Sequence, residues 1–364
     1  EGCRDAAFRA RNALMLIYSC YGLRVAPKVW REALTGYLEH LGFKVLEADP
    51  SVFKRGNMIV AVFVDDLLTL ASPEDMKVFE SELNVRFKSD AEPCSCYLGL
   101  EIYRSGSSIK ISQGTRVKKM LEEAKMDRAL PKQTPSFSPG HKFEDRDEDK
   151  MTEIKSELGG LEYRSHVGKL LYLAVASRAD ILESVRTIAS CSGKLEDFGK
   201  VKRIYTYLRG SVHLGIVYKK VQNPRLEAFA DASLGTSDHF KSVSGWFLSF
   251  AGGLITARSK RQNCTALSSC EAEVVSACSC ATEAVHKRRL LGELGFAQSN
   301  RTVIFQDNTA AIKMCEAAGL SHHRNKHFSI KVSFMAGNPS FRLEYLAGVD
   351  HPADVLTKPL SQAA

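Results

Sequence analysis

From Pro224 onward the chain runs through β-rich and helical segments in an order that leaves few folds open. Strand-like runs occur at Leu226–Asp231, Val243–Phe250 and Gly253–Arg258, followed by a long helical stretch from about Cys270 to Leu294. A strand at Thr302–Gln306, a helix from Asn308 to Ala317, a helix near Ile330–Ala336, a strand at Phe341–Leu346 and a short closing helix complete the series. Three adjacent strands followed by alternating helices and strands predict a mixed sheet covered by helices. Four acids sit at the joints of this pattern. Asp231 closes the first strand, Glu273 lies early in the long helix, Asp307 follows the Thr302–Gln306 strand, and Asp354 opens the segment Ala353-Asp-Val-Leu-Thr-Lys-Pro-Leu. Hard divalent cations require several carboxylate oxygens, and two such ions clamp the attacking and leaving oxygens of a phosphodiester. Taken singly, each acid also has a plainer role: Asp307 and Asp354 as helix caps, Glu273 as a solvated helix residue. The set of four in these contexts favours the metal reading.

At 364 residues the chain is long enough for two or three domains, each with its own core. A hydrophobic share of 44% with 25% charged residues describes a soluble globular protein, and a formal net charge of +8 is compatible with a polyanionic partner. Ten cysteines include no C-x-x-C pair, and the C-x-C pairs Cys94/Cys96 and Cys278/Cys280 lack histidines at ligand spacing, so structural zinc is not expected. His322, His323 and His327 read as surface polar residues, again without zinc. No apolar run reaches the roughly 18 residues of a membrane span. Reduced thiols and a cytoplasmic or nuclear location are expected. The first residue is Glu1 rather than Met, which predicts a fragment or a processed product.

In the N-terminal half, Met58 to Ala71 reads as a strand, a tight turn at Asp65-Asp66 and a returning strand. Helical spacing runs from Val29 to Leu41 until Gly42 stops it, and Pro73-Glu-Asp starts a second helix with acids in its first turn. Helix, hairpin and helix together predict an α+β domain over residues 1–130. From Pro131 to about Glu157 the composition shifts to Pro, Ser, Asp, Glu and Lys, which marks a linker at 131–162. Apolar helical patterns at Tyr163–Ala176, Ala179–Cys191 and Lys200–Leu208 predict a helical module over 163–222, and the sheet domain occupies 223–364. The cluster Arg258, Lys260 and Arg261 and the run His286–Arg289 are candidate phosphate contacts, or else solvated faces.

Several strings, in order, resemble the reverse transcriptase and ribonuclease H region of copia-type retrotransposon Pol polyproteins. They are YGLRVAPKVW (Tyr21 to Trp30), FVDD (Phe63 to Asp66), YLGLEI (Tyr97 to Ile102), VGKLLYLAVASRADI (Val167 to Ile181), LSSCEAE (Leu267 to Glu273), QDNTAAI (Gln306 to Ile312), HHRNKH (His322 to His327) and ADVLTKPL (Ala353 to Leu360). The resemblance implies a partial α+β palm region, a helical thumb or connection module, and an α/β ribonuclease H-like domain with a mixed five-stranded sheet. It makes Asp231, Glu273, Asp307 and Asp354 the nuclease carboxylates, holding two Mg2+ ions, and Asp65 and Asp66 the paired aspartates of the polymerase turn. The family's polymerase uses a third carboxylate on an earlier strand; Asp5, near the start of the sequence, lies in no comparable apolar strand, so that site is expected to be incomplete. Arg24 and Lys28 resemble template or nucleotide contacts. The implied partners are an RNA–DNA hybrid, a template-primer and the rest of the Pol polyprotein, with no membrane. The chain departs from the family pattern at Val25, Phe63, Ser233, Leu234 and Ala257, and the smaller residues near Asp231 and Ala257 are expected to leave packing gaps.

Overall fold

A computed structural model describes residues 22–137, 152–153, 156, 158–235, 240–316 and 326–359. It contains two compact units that divide between Pro93 and Cys94. The described part of the first includes helix α1 (Ala26–His40), which has Pro27 in its opening turn, where a missing N–H costs nothing. It ends at Gly42, whose φ of +85° lets the Phe43 N–H reach back to the Leu38 carbonyl at 3.0 Å. Strands β1 (Lys44–Val45), β2 (Val52–Arg55), β3 (Met58–Phe63) and β4 (Asp66–Leu70) form an antiparallel sheet in sequence order. Helix α2 (Pro73–Asn84) is capped by Ser72, whose hydroxyl accepts from the Asp75 N–H at 3.1 Å. Leu34, Leu38, Phe43, Phe53, Val60 and Phe79 make the core between helices and sheet. The predicted helix, hairpin and helix are all present.

The second unit opens with an antiparallel sheet of β5 (Cys96–Tyr97), β6 (Leu100–Ser105), β7 (Ser108–Ser112) and, from far along the chain, β8 (Gly215–Lys219). Helices α3 (Gly114–Glu123), α4 (Tyr163–Ala176), α5 (Leu182–Ala189) and α6 (Leu195–Gly210) share one core built on Leu121, Leu173, Val185, Phe198, Ile204 and Leu208. Residues 94–130, read from the sequence with the N-terminal domain, therefore pack with the helical module. The pairing of Ile111 with Ile216 across more than a hundred residues is the physical reason, and local patterning cannot announce it. Of the linker, residues 138–151, 154–155 and 157 lie outside the described residues. Residues 131–137 are instead tied down: Arg203 donates to the Thr134 carbonyl at 2.9 Å, and the Ser136 hydroxyl to Glu183 at 3.1 Å.

Glu101 on β6 caps α3 from a distance, accepting from the backbone N–H groups of Gly114 at 3.1 Å and Thr115 at 2.8 Å. Partial burial alone would raise its pKa, but the bonds from Thr115, Ser112 and Tyr103 prevail and hold it at about 2. The β5–β6 turn places Leu98 and Gly99 at positive φ, and the Tyr172 hydroxyl of α4 donates to the Leu98 carbonyl.

The C-terminal sheet has the order β11 (Gly253–Arg261), β10 (Val243–Phe250), β9 (Glu227–Ser233), β12 (Thr302–Gln306), β13 (Phe341–Tyr345). β9, β10 and β11 are antiparallel, whereas β9–β12 and β12–β13 are parallel, which gives the expected mixed five-stranded sheet. The 26-residue helix α7 (Ser269–Leu294) lays Val274, Ala277, Ala281 and Ala284 into the core formed with Leu226, Ala228, Ala230, Trp246 and Leu248. Helices α8 (Thr309–Glu316) and α9 (Lys326–Gly337) complete that layer. On the opposite face Phe247, Phe229 and Phe305 stack across three strands at 4.7 and 4.9 Å. Phe247 and Ala257 also pack against the helical core, so a small residue at 257 lies in contact with apolar neighbours. Among the described residues eight cysteines are free thiols, and no helix is long and apolar enough to cross a membrane.

Candidate metal centre

Parallel pairing of β9 with β12 in the register Phe229 to Phe305 makes Asp231 and Asp307 the next same-face pair along the two strands. Asp231 lies just past the last β9–β12 pair, still within β9, and Asp307 directly follows the end of β12. Helix α7 starts there, set by a reciprocal cap: the Ser268 hydroxyl accepts from the Glu271 N–H at 3.2 Å, and Glu271 accepts from the Leu267 N–H at 2.8 Å. The Ser276 hydroxyl donates to the Asp231 carbonyl at 2.7 Å and fastens the helix to β9. One carboxylate oxygen from each of Asp231, Glu273 and Asp307 then lies within 4.8 Å of the others.

Asp231 and Glu273 are buried, at 4% and 5% exposure, which decides the electrostatics. Burial, followed by the charges of Asp231 and Asp307, pushes Glu273 up to about 9, against the bond it accepts from the Gln306 amide. Asp231 is raised as well, by burial and then by Asp354 and Asp307, although the Thr357 hydroxyl donates to it. Two buried acids beside a third cannot all ionise unless a cation joins them. The donor set of carboxylate oxygens suits a hard divalent ion, so these residues fit magnesium.

Asp354 stands slightly apart. It sits in the 3-10 turn Pro352–Leu356 that also delivers Thr357 to Asp231, yet it is outside the three-oxygen cluster. Lys358 holds its Oδ2 at 2.7 Å, while Oδ1 is buried without a hydrogen-bond partner. The close approach of this turn depends on Gly245, where a Cβ would lie 2.5 Å from Thr357 Cγ2 and 2.8 Å from Leu356 Cβ. His351, before the turn, is buried with Nε2 at 3.2 Å from the Phe305 carbonyl. Sequence reading passed over Gln306, Thr357, Gly245 and Lys358; all but Gly245 lie within the QDNTAAI and ADVLTKPL strings, and that proximity was the one available signal.

The basic candidates are dispersed. Strand alternation and cross-strand pairing put Arg258 and Lys260 on the face of Trp246 and Ser244, and Arg261 on the face of Asp231. They do not make a single patch. In the run His286–Arg289, Arg288 is committed to the fold through the Gln298 and Asn300 carbonyls at 2.6 and 2.7 Å, and Lys287 pairs with Glu283 at 3.1 Å. His322 and His323 and the side chain of His327 lie outside the described residues.

In the first unit Asp65 and Asp66 are exposed at the β3–β4 turn, where Phe63 pairs with Asp66. Val64 has φ +54°, an uncommon conformation for a β-branched residue, and the Trp30 indole N–H donates to its carbonyl at 2.7 Å. Among the described residues no third acid joins this pair in a metal-sized cluster. Arg24 is exposed just before α1, and Lys28 pairs with Glu32 at 3.8 Å.

Comparison with known proteins agrees with this layout. Residues 9–138 match the reverse transcriptase (RNA-dependent DNA polymerase) family. The retrovirus-related Pol polyprotein from transposon TNT 1-94 of Nicotiana tabacum is 31% identical over 97% of this chain, and that from transposon RE1 of Arabidopsis thaliana is 33% identical over 94%. The chain spans only 28% and 24% of those polyproteins. The foamy viral protease-reverse transcriptase, solved in complex with an RNA/DNA hybrid, shares the fold with a TM-score of 0.50 and 13% identity, over 94% of this chain and 40% of that one. In motif order, in sheet topology and over nearly the whole of this chain, the sequence is similar to the reverse transcriptase and ribonuclease H-like region of the retrovirus-related Pol polyproteins of copia-type transposons.

Proposed function

We propose that the C-terminal part of the chain is a ribonuclease H-type endonuclease that hydrolyses RNA in RNA–DNA hybrids with two Mg2+ ions. The observation that carries this reading is the meeting of Asp231, Glu273 and Asp307 within 4.8 Å, two of them buried and raised in pKa by that burial and then by neighbouring carboxylates. Bound divalent ions supply an activated water and charge stabilisation for the departing 3′ oxygen. The protein's own part is to hold the ligands still. Gln306 fixes the Glu273 carboxylate, Thr357 fixes that of Asp231, and Gly245 admits the turn that brings Thr357 and Asp354 to the sheet edge. Asp354 serves as the fourth acid. Selection of the hybrid rests on groove shape and 2′-hydroxyl contacts, so little base preference is expected. Of the basic cluster, Arg261, on the face of Asp231, is the member proposed to meet a phosphate, with Arg258 and Lys260 contacting nucleic acid from the other face.

The first unit supports a second reading. A strained Val64 held by Trp30 keeps the Asp65-Asp66 turn in one conformation, as a pair of polymerase-type cation ligands requires. Arg24 and Lys28 are proposed to contact the template-primer. The rest of a Pol polyprotein is the proposed partner, in the cytoplasm or nucleus.

The test is incubation of the full chain with a labelled RNA–DNA hybrid and magnesium, beside Asp307→Asn. Cleavage that falls at least ~100-fold in the variant supports the nuclease. Hybrid binding with no cleavage in either protein would reduce the reading to a nucleic-acid-binding remnant.

A further inference from the structure

Among the described residues, a lysine of the chain itself is set against the acidic centre. Lys358 lies four residues after Asp354 and is half-exposed, with its ammonium 2.7 Å from Asp354 Oδ2. The other carboxylate oxygen, Oδ1, is buried and has no hydrogen-bond partner. Asp354 thus presents one free oxygen inward while its second is held by Lys358. Between these two residues Thr357 donates to Asp231, so the turn carrying the ammonium is anchored to the buried acid of the cluster. A carboxylate held this way faces a choice of counter-ion, because an ammonium at hydrogen-bond distance and a divalent ion repel one another.

Resting on the nuclease reading above, we propose that Lys358 is a tethered counter-ion for Asp354, and that a divalent cation binds on the Asp354 side of the centre only by displacing it. Lys358 then sets the cation concentration at which the second position fills. It is a positioning residue: it acts through Asp354 and touches no reacting atom. A flexible, half-exposed side chain suits the role, since it can swing into water without disturbing the core.

Direct binding of Mn2+ to the full chain, followed by electron paramagnetic resonance of free Mn2+, tests this apart from turnover. Lys358→Gln is expected to bind the weaker of two Mn2+ ions on the order of tenfold more tightly than the wild type, and Lys358→Arg, which keeps the charge, to stay near wild type. Thermal melting of both variants checks that the fold is intact. Equal affinity in Lys358→Gln and wild type, with wild type binding two ions, overturns the counter-ion role alone. Weaker binding in Lys358→Gln overturns it too, because the lysine would then be supporting the site. Failure of the wild type to bind Mn2+ at all sinks the nuclease reading together with this one.

Discussion

Glu273→Gln is expected to make the protein more stable at neutral pH in the absence of divalent cations while removing hybrid cleavage. The folded-state pKa of Glu273, about 9, lies above its ordinary value of 4.5. A carboxyl with a raised pKa contributes its full stability below about pH 4.5 and loses it as pH climbs towards 9, because the unfolded chain releases the proton first. At pH 7 the wild type therefore forfeits roughly 3 kcal/mol that glutamine, a stand-in for the protonated acid, retains. Denaturant melts in a chelating buffer should show the gain at pH 7 and its disappearance near pH 4. Added magnesium should reverse the order by stabilising the wild type alone. Equal stability of the two proteins across this range would mean that Glu273 is not held in a buried acidic cluster.

The second large effect lies away from the metal centre. Arg178→Leu is expected to destabilise the second unit by about 3–5 kcal/mol, the usual consequence of removing one partner from a buried charged network. Arg178 is only 2% exposed and sits between α4 and α5. Its guanidinium donates to Asp180 at 2.6 and 2.9 Å, to the Ser211 carbonyl at 2.9 Å and to the Ser211 hydroxyl at 2.7 Å. Leucine would leave the Ser211 carbonyl without that donor and Asp180 with only the Tyr207 hydroxyl, at 2.7 Å. Chemical denaturation of the full chain should show the loss in the transition that reports on the helical core. A change below about 1 kcal/mol would contradict the network's role.

These two residues mark what a sequence does and does not disclose. The C-terminal strands and helices were legible because each carries its own period, and the acids were legible because each sits at a joint between elements. That Asp231 and Asp307 come level follows from parallel pairing of β9 and β12, which the element order implies but no local pattern states. Arg178 was visible within the string SRAD, yet its burial depends on Ser211, more than thirty residues later. The adherence of residues 94–130 to the helical module was hidden for the same reason, since it rests on β7 meeting β8. Arg258, Lys260 and Arg261 looked like one cluster in a linear reading, and the two-residue period of a strand divides them. The capture of Asp354 by Lys358 is an i,i+4 pair spelled out within the ADVLTKPL string, although nothing local shows that the turn also reaches Asp231.

The claim on which the rest depends is that Asp231, Glu273 and Asp307 form a cation site. Crystals of the full chain soaked in Mn2+, with anomalous scattering recorded near the manganese edge, address it directly. An anomalous peak within coordinating distance of all three carboxylates is the expected result. Well-ordered density for the three side chains with no peak between them, or a peak bound elsewhere, would contradict the account.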